Sequence, residues 1–265
     1  MDPFRLFTSL RYDPVLVAAH NDPAFKHAGW NFRRASPCYM LDLHRDRIVR
    51  AAGHWGWDKV VSVLSDDKGL EAIENLIENV LRGEGPARVR ILVNDKGQLR
   101  CESIPEKERT LSELFPAGLS SPSELEPEGD GADVWDVLLD GAGTSKSEYT
   151  HYKTTRREMY NLARERAGIK LGEEREVLIV GGDGVVMEGS ITTPYFWRGD
   201  RWVTPSVGAQ FGDEGCGGQD GTTRRWALEN GFAVEAVVEA SSLVAGELIW
   251  LSNGAKGFIQ GRLQV

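Results

Sequence analysis

The chain has 265 residues, 41% of them hydrophobic and 27% charged, a composition that allows a substantial buried core. Its formal net charge of −9 argues against a nucleic-acid surface, which needs a basic stripe to displace counterions from phosphates. The three cysteines have neither disulfide nor metal-ligand spacing, and no apolar run is long enough to span a bilayer. We therefore expect a cytoplasmic protein with no metal, nucleic-acid or membrane partner.

The first part of the chain predicts an α+β unit. The spacing of apolar residues predicts a strand over 4–12, a helix over 39–53 and a second helix over 69–81. A strand over 87–93 is expected to turn at 94–97 and return over 98–102. In the second helix one predicted apolar face contains Leu70, Ile73, Leu76, Ile77 and Val80.

A segment rich in Pro, Gly, Ser and acidic residues, 120–131, is typical of a linker or long loop. It predicts a small N-terminal α+β domain over 1–118, a linker over 119–134 and a larger C-terminal domain over 135–265. Helices are expected in that domain over 156–167 and 222–230. Its predicted strands are 135–139, 176–180, 185–188, one around 196, 201–204, 232–238, 247–251 and 258–263.

Lys153 stands among hydroxyls and arginines, in the stretch from Tyr149 to Arg157. Isolated lysines are usually surface residues. Here, however, Arg156 and Arg157 follow at the start of a predicted helix, and neighbouring cations lower the pKa of a lysine ammonium. More neutral amine is then available for a Schiff base with a carbonyl cofactor. This pattern indicates a pyridoxal phosphate enzyme.

Two later motifs complete that hypothesis. Glu188 ends an apolar strand before Gly189 and Ser190, where a carboxylate could hold a pyridine nitrogen protonated. Gly221-Thr222-Thr223 precedes a predicted helix, whose free N–H groups and dipole favour a phosphate, although an ordinary N-cap has the same sequence. The glycines at 181–184 lie between two predicted strands and favour a hairpin over a nucleotide-binding turn.

With these motifs the chain resembles the fold type IV pyridoxal phosphate enzymes, the class-IV aminotransferase family. The resemblance implies two α+β domains with the cofactor in the interdomain cleft, the larger C-terminal domain binding it, and a homodimer. It implies that Lys153 and Glu188 are catalytic and also bind the cofactor. The remaining cofactor-binding residues that it implies are Arg47 of His44-Arg45-Asp46-Arg47-Ile48, Gly221, Thr222, Thr223, Ser252 and Asn253. One departure is Thr193-Pro194, where relatives commonly carry Asn.

Within the family, the run from Tyr149 to Tyr160 and Glu188-Gly189-Ser190 look most like the aminodeoxychorismate lyase branch, which makes 4-aminobenzoate for folate. That resemblance implies a lyase that eliminates pyruvate from a substrate with two carboxylates. Cations near the site should bind those carboxylates. The candidate substrate-binding residues are Thr8, Arg11, Arg156 and Arg157. A transaminase of branched-chain amino acids, D-amino acids or amines would use the same lysine and glutamate, and a non-catalytic relative is a further alternative.

Overall fold

The structure is a computed structural model that describes residues 4–125, 134–170 and 172–265. Its chain divides into two compact units. Unit 1 contains 1–117, 152–156 and 254–257, and unit 2 contains 118–151, 157–253 and 258–265. The predicted domain boundaries remain a prediction, and part of the predicted linker, 126–133, lies outside the described residues. No helix in the described ranges is long and apolar enough to cross a membrane.

Unit 1 is an antiparallel three-stranded sheet, ordered β1-β2-β3, with helices packed against it. Its strands are β1 (Leu6–Tyr12), β2 (Ala87–Val93) and β3 (Leu99–Pro105). Its helices are α1 (Trp30–Arg33), α2 (Leu41–His54), α3 (Asp58–Leu64), α4 (Asp67–Leu81) and α5 (Leu111–Leu114), with 3-10 turns at Pro14–Ala19 and Pro23–Ala28. The predicted strands and long helices of this unit are confirmed, whereas α1, α3, α5 and the 3-10 turns were missed.

Helix α4 shows how the sequence fixes a boundary and a buried face. Asp66 caps it by accepting a hydrogen bond from the Gly69 amide at 3.2 Å. Buried on its inner face are Leu70, Ile73 and Ile77, each of which stabilises the fold by roughly 1.5–3 kcal/mol. The predicted apolar face was too wide, because the Val80 side chain at its edge is 45% exposed.

Unit 2 is built on a mixed eight-stranded sheet, ordered β6-β5-β4-β11-β10-β7-β8-β9. Its strands are β4 (Trp135–Thr144), β5 (Arg175–Gly181), β6 (Val186–Gly189), β7 (Thr193–Arg198), β8 (Arg201–Pro205), β9 (Val234–Ala236), β10 (Leu248–Asn253) and β11 (Gly257–Leu263). Its helices are α6 (Glu148–His151), α7 (Glu158–Arg166) and α8 (Thr222–Glu229), with a 3-10 turn at Ala240–Ser242. The α+β fold class is confirmed.

Two details in unit 2 refine the predictions. Strands β5 and β6 form the expected antiparallel hairpin, with Ile179 opposite Glu188. Helix α7 begins at Glu158 and not at Arg156, because Thr154 accepts a hydrogen bond from the Arg156 amide and Arg157 has non-helical backbone angles. Arg156 and Arg157 therefore precede the helix instead of forming its first turn.

Candidate active site

Lys153 is held in unit 1 by an extended segment that runs beside β1. The Phe7 amide donates to the Lys153 carbonyl at 3.1 Å, and the Thr155 amide donates to the Arg5 carbonyl at 2.9 Å. Leu6 and Thr154 form an antiparallel bridge between these bonds. The Lys153 ammonium lies 5.1 Å from the centroid of the Phe7 ring. Backbone pairing therefore fixes the position of the Lys153 Cα, from which the side chain extends.

His44 connects Lys153 with two further predicted site residues. Thr8 Oγ1 lies 2.6 Å from His44 Nδ1, and the Arg47 guanidinium donates to the same Thr8 oxygen. An arginine nitrogen can only donate, and Arg47 Nη2 also lies 3.4 Å from His44 Nδ1, so this contact favours Nδ1 as an acceptor with the histidine proton on Nε2. Complete burial, together with the Arg47 and Lys153 charges, holds the pKa of His44 well below its ordinary value. The ring is therefore a neutral acceptor.

Gly254 lies against the same histidine. A Cβ at this position would come within 2.4 Å of His44 Cε1 and 2.9 Å of the Ser9 carbonyl oxygen. The Gly254 carbonyl also accepts from the Arg11 amide at 2.8 Å. The predicted turn Ser252-Asn253-Gly254 thus ends on a residue that must lack a side chain.

Arg90 is a site residue that the sequence reasoning missed. Its guanidinium lies 4.2 Å from the centroid of the Phe7 ring, the ring that Lys153 also contacts. Burial is the main cause that lowers the pKa of Arg90 from its ordinary value. The signal in the sequence was an arginine between apolar residues of β2, opposite Ser9 of β1.

Glu188 is held in unit 2 by a buried tyrosine. The Tyr160 hydroxyl donates to Glu188 Oε1 at 2.5 Å, and Gln219 Nε2 donates to the Tyr160 oxygen at 3.1 Å. Burial first, and then the Glu188 carboxylate, raise the pKa of Tyr160 well above its ordinary value. Tyr160 therefore keeps its proton and donates a hydrogen bond to Glu188. It lies on a helix that was predicted, but its role was not.

The predicted phosphate-binding turns of unit 2 lie together. Thr223 Oγ1 is 2.8 Å from Ser252 Oγ, and the Tyr195 hydroxyl is 2.9 Å from the same serine oxygen. Helix α8 begins after Gly221 and has no side-chain cap. Its first backbone N–H groups therefore point out of the helix at its N-terminal end. A Cβ on Gly221 would lie 2.9 Å from Thr193 Oγ1.

Arg224 fixes the approach to α8. Its guanidinium, 4% exposed, donates to Asp220 Oδ1 at 3.1 Å and to the Pro205 carbonyl at 3.0 Å. It also pairs with Glu235. Because Asp220 immediately precedes Gly221, these contacts fix the backbone at the start of the helix. Thr222, the first residue of α8, is buried, and Asn253 ends β10.

The three predicted substrate-binding arginines occupy different places. Arg11 is fully buried in unit 1, where it pairs with Asp13 at 2.5 Å and donates to the Lys107 carbonyl. Arg156, also in unit 1, lies 5.6 Å from the Phe4 ring centroid. Arg157 belongs to unit 2 and donates to the Ser190 carbonyl at 3.1 Å. Substrate binding by these residues stays a prediction.

The sequence from 29 to 263 matches the family described as amino-transferase class IV. Because this match covers most of the chain, the protein belongs to the class IV aminotransferase family, the fold type IV group of pyridoxal phosphate proteins. Members of this family typically depend on pyridoxal phosphate. The resemblance expected from the sequence is confirmed.

Two fungal proteins are similar to this chain in sequence, and a bacterial aminotransferase is similar to it in fold. The chain is 26% identical, over 259 residues, to aminodeoxychorismate lyase of Saccharomyces cerevisiae, covering 85% of this chain and 67% of that protein. It is 25% identical to a Schizosaccharomyces pombe protein to which the same name is provisionally given, covering 85% of this chain and 84% of that one. The branched-chain amino acid aminotransferase from Escherichia coli is similar in fold, with a TM-score of 0.60 and 15% identity over 99% of this chain and 77% of that chain.

Proposed function

We propose that this protein is a pyridoxal phosphate-dependent aminodeoxychorismate lyase, which releases pyruvate from 4-amino-4-deoxychorismate and leaves 4-aminobenzoate for folate synthesis. The observation that carries the enzyme class is the placement of Lys153, which backbone hydrogen bonds hold beside β1. Its ammonium lies 5.1 Å from the Phe7 ring centroid, and its charge, like that of Arg47, lowers the pKa of buried His44. The choice of a lyase rests on the two fungal relatives that bear this name.

The chemistry of the available donors fits the cofactor. In unit 2, the uncapped start of α8 offers N–H groups, and the Thr223 and Ser252 hydroxyls lie within hydrogen-bonding distance of each other. Such a helix start with hydroxyls beside it binds phosphate well. Gly221 leaves space there that a Cβ would fill, 2.9 Å from Thr193 Oγ1. Within unit 1, the Arg47 guanidinium is a cation whose chemistry suits a phosphate.

Each predicted catalytic residue has a distinct task. When bound, pyridoxal phosphate supplies a protonated ring that withdraws electrons from the carbon bearing the substrate amine. Lys153 would attach the cofactor, and its neutral amine would accept the proton from that carbon. Glu188 would hold the proton on the ring nitrogen, and Tyr160 keeps the carboxylate oriented by donating to it at 2.5 Å. The elimination is favourable because the product ring becomes aromatic.

The substrate carries two carboxylates, and we propose Arg90 as a residue that binds one of them. Its guanidinium and the Lys153 ammonium both lie over the Phe7 ring, at 4.2 and 5.1 Å from the centroid. The contact that both cations make with the same ring is the observation that supports this assignment. Arg90 has an acidic partner of its own, Glu102, but only at 3.9 Å. Arg11 is less suited, because its guanidinium is fully buried and donates at 2.8 Å to Asp13 and at 2.7 Å to the Lys107 carbonyl.

The function is tested by following the visible spectrum of the protein with pyridoxal phosphate and then adding 4-amino-4-deoxychorismate. We expect equal amounts of pyruvate and 4-aminobenzoate, with the cofactor in the same form before and after turnover. In parallel, branched-chain amino acids, D-amino acids and simple amines are added separately. Conversion of the cofactor to pyridoxamine by one of these, without formation of 4-aminobenzoate, would identify a transaminase. Absence of any cofactor band would favour a non-catalytic relative.

We also propose that the protein acts as a homodimer, as the family resemblance implies. Sedimentation velocity of the purified protein should give a mass twice that of one chain. A monomer that is active in the lyase assay would contradict this part of the proposal.

A further inference from the structure

A buried carboxylate, Glu176, organises the turn that follows Glu188. Glu176 lies in β5 and is 0% exposed. It accepts hydrogen bonds from the Ser190 amide at 3.0 Å, from the Ile191 amide at 3.1 Å and from Thr192 Oγ1 at 2.7 Å. The Ser190 hydroxyl donates to the same carboxylate. One side chain therefore satisfies consecutive backbone donors of a turn that begins two residues after Glu188.

Two arginines fix the same turn from other directions. Arg164 lies 3.7 Å from Glu176 Oε1 and donates to Ser190 Oγ at 3.0 Å. Arg157 donates to the Ser190 carbonyl at 3.1 Å. The amide, hydroxyl and carbonyl of Ser190 are thus all engaged by charged groups. Hydrogen bonds to charged groups are about twice as strong as neutral ones, so this turn is held tightly.

The geometry leaves little room for the turn to move. A Cβ on Gly189 would lie 2.9 Å from Glu176 Oε2 and 2.5 Å from Thr192 Oγ1. The Gly189 amide itself donates to the Thr192 carbonyl at 2.9 Å. A side chain at the residue that immediately follows Glu188 would therefore clash with the Glu176 carboxylate.

We propose that Glu176 is a positioning residue, which fixes the backbone from Gly189 to Thr192 and thereby sets the direction of the Glu188 side chain toward Tyr160. The catalytic consequence rests on the proposed function, in which Glu188 holds a proton on the cofactor ring. A small displacement of a positioned catalytic group lowers the rate strongly. Glu176 itself contacts neither substrate nor cofactor in this role.

The test compares Glu176→Gln with Asp140→Asn. In Glu176→Gln an amide NH2 replaces one carboxylate oxygen. It then faces the Ile191 and Thr192 donors in place of Oε2, or the Val177 and Ser190 donors in place of Oε1. Asp140 is a matched control, because it is also a buried acid of unit 2 that pairs with an arginine, Arg166, at 2.6 Å. If Glu176→Gln fails to fold, Thr192→Val removes a single donor to the carboxylate while keeping the side-chain shape.

The first readout needs no cofactor. The buried Tyr160 hydroxyl donates to Glu188, so the NMR resonance of its proton reports the direction of the Glu188 side chain. We expect Glu176→Gln or Thr192→Val to shift or abolish this resonance, whereas Asp140→Asn should leave it unchanged. An unchanged resonance in a folded Glu176→Gln or Thr192→Val protein would overturn the proposal, whether or not the protein is a lyase.

The second readout is a double-mutant cycle on the rate. Glu176→Gln should slow turnover about tenfold when Glu188 is present, as expected for loss of hydrogen bonds to a charged group. The same change should have almost no effect in a Glu188→Gln background, because the positioned group is already gone. Equal factors in both backgrounds would mean that Glu176 does not act through Glu188. If the wild-type protein binds no cofactor, the proposed function fails, while the Tyr160 resonance still decides the positioning role.

Discussion

The two units hold their site residues by different means. In unit 1, Lys153 and Arg47 are cations whose charges both act on a buried, neutral His44. In unit 2, Glu188 is an acid whose Oε1 accepts from a buried phenol, Tyr160. Like charges repel, so side-chain attraction cannot gather the cations of unit 1. Lys153 is placed by backbone pairing with β1 and Arg47 donates to Thr8, whereas Glu188 in unit 2 is oriented by a buried side-chain donor.

Because of this difference, Lys153 and Glu188 should respond differently to substitutions around them. Truncating the Lys153 side chain should leave its backbone in place, since the bonds to Phe7 and Arg5 involve main-chain atoms. Truncating Tyr160 should leave Glu188 without the donor to its Oε1. A substitution of Lys153 in unit 1 should therefore remove activity without changing the fold, whereas a substitution of Tyr160 in unit 2 should also change the local structure around Glu188.

The strongest test of this comparison is Lys153→Ala. We expect complete loss of covalently attached cofactor with an unchanged folded state. Borohydride reduction followed by peptide mass spectrometry measures the attachment, and thermal unfolding measures the fold. Lys146→Ala is the matched control, because Lys146 pairs with Asp183 at 3.0 Å and should not be needed for attachment. Trapping of cofactor on another lysine in Lys153→Ala would show that the wrong residue has been assigned.

Glu188→Gln should have the next largest effect. The neutral amide cannot hold a proton on the ring nitrogen, so we expect turnover to fall by about 100-fold, as for loss of other charge-stabilising groups. Cofactor should still attach to Lys153, which the visible band and reductive trapping both measure. Turnover at the wild-type rate would remove Glu188 from the mechanism.

Tyr160→Phe sharpens the comparison within unit 2. Loss of one hydrogen bond to a charged group costs roughly 1.5–3 kcal/mol, so turnover should fall at least about tenfold. Tyr12→Phe is the matched control, because the Tyr12 hydroxyl donates to Glu78 at 2.7 Å in unit 1, among residues that the mechanism does not use. Steady-state rates and thermal unfolding are measured for both. An equal loss of rate in the two variants would contradict a specific role for Tyr160.

The smallest expected effect concerns pH and His44. Its pKa is lowered in the folded state from an ordinary value of 6.5, so the unfolded chain binds more protons below that pH. The folded state should therefore lose stability as the pH falls below about 6.5, by on the order of 1 kcal/mol between pH 7.5 and 5.5. Urea unfolding at several pH values measures this for the wild type and for His44→Asn, which keeps an acceptor for Thr8. The same slope in both proteins would contradict a neutral buried His44.

Most regular elements could be predicted because their apolar residues recur with a clear period. Helix α4 and strand β2 are examples, each with alternating or helical spacing of buried side chains. Helix α3 was missed because it has only seven residues, too few for a helical period to be recognised. The start of α7 was misplaced because Thr154 competes locally for the Arg156 amide, an effect that periodicity does not detect.

The candidate site was predictable only in part, for a physical reason. Lys153 and Glu188 lie in short local motifs, and these motifs predict a Schiff-base lysine and an acid that pairs with the ring nitrogen. Tyr160 and Glu176 act through contacts 28 and 14 residues away along the chain, which no local pattern contains. The available signal for Glu176 was a carboxylate directly before the apolar run of β5, since an acid at such a position needs donors when it is buried.

Unit 1 is assembled from segments that lie far apart in the sequence, and this has a consequence for synthesis on the ribosome. Its three-stranded sheet ends in β1, and the segment that covers this edge, 152–156, is translated long after the strand itself. Until then the nascent chain exposes an unpaired strand edge, a surface on which chains associate wrongly. Gly254, which closes over His44, arrives later still. Unit 1 therefore cannot complete its fold until the segments 152–156 and 254–257 have both been translated.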